Sequence, residues 1–233
     1  DDTGSRGLGD VYKRQISQDV NDLMASIYQT EISPHTMPVH LGHLNYQPSK
    51  LEEAVDKWHH DTIPLDYVMM VSDPATLSGG GFEYFVGTKM EAEELSKQGK
   101  TPPRDRVKAP KFPGPGYAVA LHGNMVVHRG APLTKPGERI TMVNAYVSMN
   151  CLVDDQSRSR DLIGIDDPAA LYAEWAKHAS WRTQNRLQQI IDSMAFDQEP
   201  DQVLDQLEFA ANDLLKTIND MKAGPREAQH YEQ

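Results

Sequence analysis

Two histidines and one aspartate are the residues whose types and spacing could do chemistry. His59 and Asp61 are separated by a single residue, and His128 lies in a later apolar run. On an extended strand, side chains two positions apart point to the same face, so His59 and Asp61 can act together. Two imidazoles and one carboxylate on one face of an ion, with the other positions open, form a ligand set typical of ferrous iron. We therefore predict a metal site built from His59, Asp61 and His128.

The His-x-Asp pair alone is a weak signal, because a surface pair has the same pattern, and a lone histidine in an apolar run is more often a core residue. The alternating geometry of a strand is expected to turn His60 away from His59. His128 is preferred because it precedes an arginine at a suitable distance along the chain. Four other histidines compete for the ligand role: His40, His43, His60 and His122.

Arg139 and Thr141 lie two apart in an otherwise apolar run, Glu138 to Val147. An inward-pointing guanidinium is costly to bury without a partner. A carboxylate bound through both oxygens would satisfy it, and the adjacent Thr141 could add a hydroxyl contact. The alternative for a lone arginine is a structural salt bridge to an acidic residue.

The ordered set of motifs resembles the Fe(II)/2-oxoglutarate-dependent dioxygenases. The resemblance covers a little under half of the chain, from about Tyr46 to Val147. The set comprises His59-x-Asp61, the glycine-rich turn before Phe82-Glu83-Tyr84-Phe85, Gly116-Tyr117, Gly123 to His128, and Arg139-x-Thr141.

The resemblance implies that His59, Asp61 and His128 hold Fe(II), and that Arg139 and Thr141 bind the distal carboxylate of 2-oxoglutarate. Tyr46 is expected to contact this co-substrate as well. The implied reaction uses O2 to oxidise a small-molecule substrate, by hydroxylation, with release of succinate and CO2. Because Asp61 is present, hydroxylation is favoured over halogenation, whereas desaturation and ring formation remain open.

Two other functions are compatible with the same residues. One is a cupin-like metalloenzyme that does not use 2-oxoglutarate, and Arg139-x-Thr141 argues against it. The other is a jelly-roll binding module without catalysis, which a complete set of ligands disfavours.

The elements that must position these residues are predicted to be many short strands separated by glycine and proline. We predict a mainly β fold with flanking helices: a double-stranded β-helix (jelly roll, cupin-like) followed by C-terminal α-helices. Helical spacing is found from Ile16 to Ile32, and helix starts are predicted at Asp167-Pro168 and at Pro200. The main predicted strands are 37–46, 65–71, 82–86, 106–112, 117–121, 125–128 and 138–149.

Four regions are predicted along the chain. Residues 1–15 contain SRGLGDVYKRQ, which resembles a translated sequencing adapter, so we interpret them as a non-native leader before a truncated natural sequence. Residues 16–150 are assigned to the oxygenase domain and residues 151–225 to helices that pack on it and could mediate a homodimer. Residues 226–233 are predicted to be a frayed tail.

The composition of the chain argues against some classes of binding partner and some cellular locations. The net charge of −11 argues against a nucleic-acid partner, which needs a basic surface. No apolar run is long enough to span a membrane. The single cysteine, Cys151, excludes an internal disulfide and fits a reducing compartment, so a cytoplasmic location is predicted.

Overall fold

The computed structural model describes residues 10–46, 51, 56–226 and 229–231, and these contain five α-helices and eight strands. The helices are α1 (Asp10–Gln15), α2 (Gln18–Tyr28), α3 (Lys89–Lys97), α4 (Pro168–Ser193) and α5 (Pro200–Ala223). The strands are β1 (Ile32–Pro34), β2 (Leu41–Tyr46), β3 (Leu65–Met70), β4 (Phe82–Phe85), β5 (Val107–Lys108), β6 (Ala118–Leu121), β7 (His128–Gly130) and β8 (Ile140–Ser148). Four short 3₁₀ turns connect them: Pro38–His40, Pro74–Thr76, Arg104–Arg106 and Ser159–Leu162.

The strands form two antiparallel sheets. The larger sheet has the order β1-β8-β3-β6, with β2 also paired to β8, and the smaller has the order β5-β4-β7. From β3 onward the chain passes between the sheets repeatedly: β3 lies in the larger sheet, β4 and β5 in the smaller, β6 in the larger, β7 in the smaller and β8 in the larger. Residues from distant parts of the chain therefore become neighbours.

The larger sheet is buried on both faces. Its outer face packs against α2, where Met24 contacts a cluster that includes Tyr67, Met142 and Tyr146. Its inner face contributes Val68 to a cluster with Phe82 of the smaller sheet. All six residues of β3 are buried, including the acidic Asp66. A carboxyl group is thus held between the two sheets.

Helices α4 and α5 begin where the sequence predicts. The Asp167 side chain accepts a hydrogen bond from the Ala170 amide at 3.2 Å and caps α4, and Pro168 occupies its first turn. Gly224 ends α5. The two helices pack on each other through Arg186, whose Nη1 lies 2.7 Å from Asp213.

The helical region reaches the sheets through the segment that follows β8. Arg182 of α4 donates hydrogen bonds to the carbonyls of Ser148, Asn150 and Val153. Another contact is made at the 3₁₀ turn before β2, where Leu171 and Trp175 pack with Met37. The helices therefore cover the end of the larger sheet.

The expectation of a mainly β chain does not hold, because helix makes up about 41% of the structure and strand about 20%. Antiparallel sheets followed by C-terminal helices are present as predicted. The excess of helix comes from the lengths of α4 and α5, 26 and 24 residues. Within the described ranges, none of the helices is both long and apolar enough to cross a bilayer.

The tail also differs from expectation. Residues 226–233 are predicted to be frayed, but the described residues 229–231 are docked on the domain. His230 forms an antiparallel bridge with His59, and Tyr231 is 1% exposed. One large aromatic side chain in a polar segment is enough to anchor it, because burying an aromatic ring is strongly favourable.

Candidate metal centre

The structure brings His59, Asp61 and His128 together, although His128 is 67 residues beyond Asp61 in the sequence. One ligand atom from each residue lies within 4.8 Å of the others. Nε2 of His59 is 3.4 Å from Oδ1 of Asp61, and Nε2 of His128 is 3.4 Å from Oδ2 of Asp61. An ion with ligand bonds of about 2.1 Å holds neighbouring ligand atoms about 3.0 Å apart. The three side chains therefore have the spacing of a 2-His-1-carboxylate site.

Backbone pairing positions the two imidazoles. The His59 amide donates to the carbonyl of His128 at 3.0 Å, and the His128 amide donates to the carbonyl of His59 at 2.8 Å. Residues directly opposite in an antiparallel pair project to the same face. The two rings accordingly lie with their centroids 4.5 Å apart.

Each imidazole is also oriented by its own backbone. Nδ1 of His59 donates to the carbonyl of Lys57 at 2.7 Å, and Nδ1 of His128 donates to the carbonyl of Val126 at 2.9 Å. With Nδ1 bonded to the backbone, Nε2 is the ring nitrogen that faces Asp61 and that an ion would bind once any proton on it is displaced. This is the orientation that a metal-binding histidine needs.

The donor set fits a divalent cation. Oδ2 of Asp61 is buried, and no amide, hydroxyl or basic side chain of the described residues donates a hydrogen bond to it. A buried carboxylate oxygen that faces two imidazole nitrogens is stabilised by a nearby positive charge, which a bound ion would supply.

The electrostatics of the three residues are linked. Burial alone lowers the pKa of His59, but the hydrogen bond with Asp61 and the charges of Asp56 and Asp61 outweigh it and raise the pKa to about 9. For His128 burial dominates and lowers the pKa. Burial raises the pKa of Asp61, yet the two histidines outweigh that effect, and the pKa is lowered overall. Asp61 is therefore held as a carboxylate, the form that binds metal.

Asp66 is a second carboxyl group behind Asp61, and the sequence analysis missed it. It is fully buried on β3, and burial together with the Asp61 charge raises the pKa of Asp66 well above its ordinary value. A protonated Asp66 can donate a hydrogen bond to Asp61 and hold it in place. An acidic residue inside the apolar run Leu65–Met70 was the signal that could have identified it.

Gly123 makes room for this pair of carboxyl groups. Its carbonyl accepts a hydrogen bond from the Asp61 amide at 2.8 Å. A β-carbon on Gly123 would overlap Oδ2 of Asp66 and lie 2.7 Å from Oδ2 of Asp61. The close approach of the backbone to both carboxyl groups therefore requires glycine at this position.

Arg139 and Thr141 lie together in the interior, each 2% exposed. Nε of Arg139 donates to the carbonyl of Gly80 at 2.6 Å, and Nη1 lies 3.4 Å from the Thr141 hydroxyl oxygen. Burial lowers the pKa of Arg139, and the charge of Asp56 opposes that shift. The glycine-rich turn predicted before β4 thus has a defined role, because Gly80 positions the guanidinium.

Tyr46 is not brought to Arg139 and Thr141. It is opposite Ile140 in the β2–β8 register and 58% exposed, whereas Asn45 is opposite Thr141. Because opposite residues share a face, Asn45 lies on the face of Thr141 and Tyr46 on the other. Tyr46, which is expected from the resemblance to contact the co-substrate, therefore faces away from Arg139 and Thr141.

Asp56 is a further acidic group at the centre. Its Oδ2 is 3.4 Å from Nε2 of His59, and its side chain is 42% exposed. The Asp56 charge also acts on His128 and Arg139. Asp56 is therefore an acidic neighbour whose charge acts on both imidazoles and on the buried guanidinium.

The competing histidines lie elsewhere. His60 points away from His59, as expected, and its Nδ1 accepts a hydrogen bond from the Tyr231 hydroxyl at 2.7 Å. Burial lowers the pKa of His60 to about 3. His40 packs edge-on against His35, His122 packs against Tyr28, and His43 is exposed on β2. Among the described residues, only His59, Asp61 and His128 have the spacing of a metal-binding group.

Comparison with known proteins gives a limited result. No protein-family model matches the sequence, and no curated protein does. One similar solved structure is described as "Non-heme monooxygenase, ThoJ-Ni complex". It is 14% identical, the match covers 73% of this chain and 72% of that chain, and the TM-score is 0.43. This likeness is too distant to assign chemistry.

Proposed function

We propose that the chain is a non-heme Fe(II) oxygenase that uses 2-oxoglutarate and O2 to hydroxylate a small molecule. The observation that carries the proposal is the convergence of His59, Asp61 and His128, with both Nε2 atoms 3.4 Å from the Asp61 carboxylate. Two imidazoles and one carboxylate leave half of an octahedral coordination sphere open for co-substrate and O2.

The order of the strands supports the double-stranded β-helix that this function implies. A β-helix of this kind alternates between two facing sheets, as the chain does from β3 to β8. The bridge between His59 and His128 adds the segment around His59 to the smaller sheet, beside β7. His59 and His128 would then lie side by side at one end of the barrel, with Arg139 directly before β8.

Arg139 and Thr141 support 2-oxoglutarate as the co-substrate. The guanidinium of Arg139 is 2% exposed and carries N–H groups that can donate hydrogen bonds to a carboxylate. The Thr141 hydroxyl lies beside it. The Asp56 carboxylate lies 3.4 Å from Nε2 of His59 and its charge acts to raise the pKa of Arg139, so the guanidinium lies within electrostatic range of the metal centre. A dicarboxylate that spans metal and guanidinium would make both contacts at once.

Each residue then has a role. His59, Asp61 and His128 would hold Fe(II), while Arg139 and Thr141 would bind the distal carboxylate of 2-oxoglutarate. Phe82 packs against the His128 ring, with centroids 5.3 Å apart, and helps exclude water from that side. Bound iron would supply the activation of O2, and the overall reaction converts C–H, O2 and 2-oxoglutarate into C–OH, succinate and CO2.

An anaerobic titration with Fe(II) followed by 2-oxoglutarate tests the proposal. We expect a visible charge-transfer band that needs both additions, and slow succinate formation once O2 is admitted. The matched control is Asp61→Ala, which should give neither signal.

The same titration separates the two alternatives. Iron binding without any effect of 2-oxoglutarate would indicate a metalloenzyme of the cupin-like kind. A folded protein that binds no Fe(II) would indicate a binding module without catalysis. Either result overturns the proposed function.

A further inference from the structure

The segment that contains His59 is held between two neighbours. On one side it pairs with β7 through the reciprocal hydrogen bonds of His59 and His128. On the other side it pairs with residues 229–231, where the Tyr231 amide donates to the carbonyl of Trp58 at 2.7 Å and His230 bridges His59. Residues 229–231, called the tail from here on, are thus the outermost strand-like element of the smaller sheet within the described part of the chain.

Tyr231 anchors the tail on the face opposite to the metal ligands. The bridge between His59 and His230 places Tyr231 opposite Trp58, and alternation turns both side chains away from Asp61. Tyr231 is 1% exposed and packs in a cluster with Trp58, Phe85, Ala92 and Val127. Its hydroxyl group donates to Nδ1 of His60 at 2.7 Å, on the same face of the sheet. Tyr231 therefore contacts the residues on both sides of His59, namely Trp58 and His60.

The position of the segment sets the position of the His59 ring. Nδ1 of His59 donates to the carbonyl of Lys57, so the ring moves with its own backbone. His128 differs, because it lies on β7, which is paired with β4 on its other side. Without the tail, the segment around His59 would be an edge strand held from one side only, and such edges fray easily.

We propose that Tyr231 is a positioning residue of the metal centre: by fixing Trp58 and His60, it holds His59 where Nε2 can meet Asp61. This inference rests on the proposed metal site and deepens it. It assigns the tail a role in metal affinity that is independent of substrate.

The test uses the full chain with Tyr231→Phe, which removes the hydroxyl but keeps the ring, and Tyr231→Ala, which removes the anchor. The matched control is Tyr172→Phe, which removes the hydrogen bond from Tyr172 of α4 to the carbonyl of Met221 on α5, away from the centre. Co(II), followed by its visible absorption, is the probe of affinity and ligand geometry. Hydrogen exchange at the amides of residues 57–61 in the metal-free protein is the second readout.

We expect Co(II) to bind about ten-fold more weakly to Tyr231→Phe and up to about 100-fold more weakly to Tyr231→Ala, the range found for residues that orient metal ligands. The Tyr172→Phe variant should bind as the unsubstituted protein does. Exchange at residues 57–61 should accelerate in both Tyr231 variants and not in the control. If Tyr231→Ala does not fold, Tyr231→Phe decides.

Unchanged affinity in folded Tyr231→Phe, or an equal loss in Tyr172→Phe, would overturn the inference while leaving the proposed metal site intact. If the unsubstituted protein binds no Co(II) or Fe(II), the proposed function fails instead. Exchange of the metal-free protein then still shows whether Tyr231 fixes the His59 segment, and unchanged exchange overturns that role.

Discussion

His59 and His128 exchange both of their backbone hydrogen bonds, at 3.0 and 2.8 Å, so that their rings project to the same face with centroids 4.5 Å apart. This backbone pairing, rather than a contact between the rings, brings two distant segments to one point. Asp61 completes the group because it follows His59 by two residues. Backbone hydrogen bonds therefore set the positions of the two imidazoles, and a site whose ligands are held by the fold avoids the cost of ordering them.

Replacing Asp61 with alanine should abolish binding of Fe(II) and turnover. The side chain provides the only carboxylate of the three-residue group, and its loss leaves two imidazoles without the negative charge that a cation needs. Isothermal titration with Fe(II) under anaerobic conditions measures the effect. Asp205→Asn, on the exposed surface of α5, should change neither quantity, and near-normal turnover in Asp61→Ala would exclude the ligand assignment.

Replacing Arg139 with glutamine should raise the KM for 2-oxoglutarate roughly 10- to 100-fold, which corresponds to hydrogen bonds to a charged group worth about 1.5–3 kcal/mol. Affinity for Fe(II) should stay within about two-fold, because Arg139 is not one of the three ligands. Thr141→Val should also raise the KM for 2-oxoglutarate, but by a smaller factor. Succinate formation at varied 2-oxoglutarate concentration gives the KM, and anaerobic titration with Fe(II) gives the affinity for iron. Equal loss of iron and co-substrate binding would contradict the assigned role.

Replacing Asp56 with asparagine should tighten the binding of 2-oxoglutarate. The Asp56 carboxylate lies 3.4 Å from Nε2 of His59 and its charge also reaches Arg139, so it repels an incoming dianion. Removing one charge at a partly exposed site is worth about 1 kcal/mol, or roughly five-fold in affinity. Anaerobic titration of the Fe(II) protein measures it. Weaker binding would instead mean that Asp56 helps to hold the metal.

The parts of the site that follow strand periodicity could be predicted from the sequence. A spacing of two residues predicts that His59 and Asp61 share one face of a strand, and the same spacing predicts a shared face for Arg139 and Thr141. Tyr46 lies on the face opposite to Thr141, and strand periodicity alone does not show this, because one residue of register reverses the face of a strand and register depends on the partner strand. In this case the register includes an irregularity between Leu41 and His43 that no periodicity reveals.

Other parts depend on contacts between distant segments and could not be read from local patterns. The pairing of the tail with His59 joins residues more than 170 positions apart. The polar composition after Arg226 indicates a frayed end, and only Tyr231 argues against it. Similarly, Asp66 is distinctive in its strand, but its nearness to Asp61 depends on how Gly123 approaches both.

Replacing Gly123 with alanine should destabilise the fold by about 1–3 kcal/mol and weaken Fe(II) binding, because the added methyl group would displace Asp61 and Asp66. Gly114→Ala is the matched control, since its β-carbon would have no neighbour closer than 4.0 Å and its φ is not in the left-handed region. Urea unfolding and metal titration measure the two effects. A Gly123→Ala protein with normal iron affinity would show that the two carboxyl groups can move apart without cost.

Buried neutral histidines should make the metal-free protein sensitive to mild acid. Burial is the main cause that lowers the pKa of His40 to about 3, and it lowers the pKa of the adjacent His35 well below its ordinary value. Since an unfolded histidine has a pKa of about 6.5, the unfolded chain binds more protons than the folded one between about pH 3 and 6.5. The free energy of unfolding should therefore fall as pH drops below 6.5, by about 1.4 kcal/mol per pH unit for each such residue.

The variant His40→Leu tests this dependence, because it removes one buried imidazole and keeps a side chain of similar volume. The loss of stability between pH 7.5 and 5.0, measured by urea unfolding with a chelator present, should be about 2 kcal/mol smaller than in the unsubstituted protein. His43→Leu is the control, since His43 is exposed on β2 and replacing it removes no buried imidazole. An identical pH dependence in His40→Leu and the unsubstituted protein would mean that His40 gains a proton in the folded state as readily as in the unfolded chain.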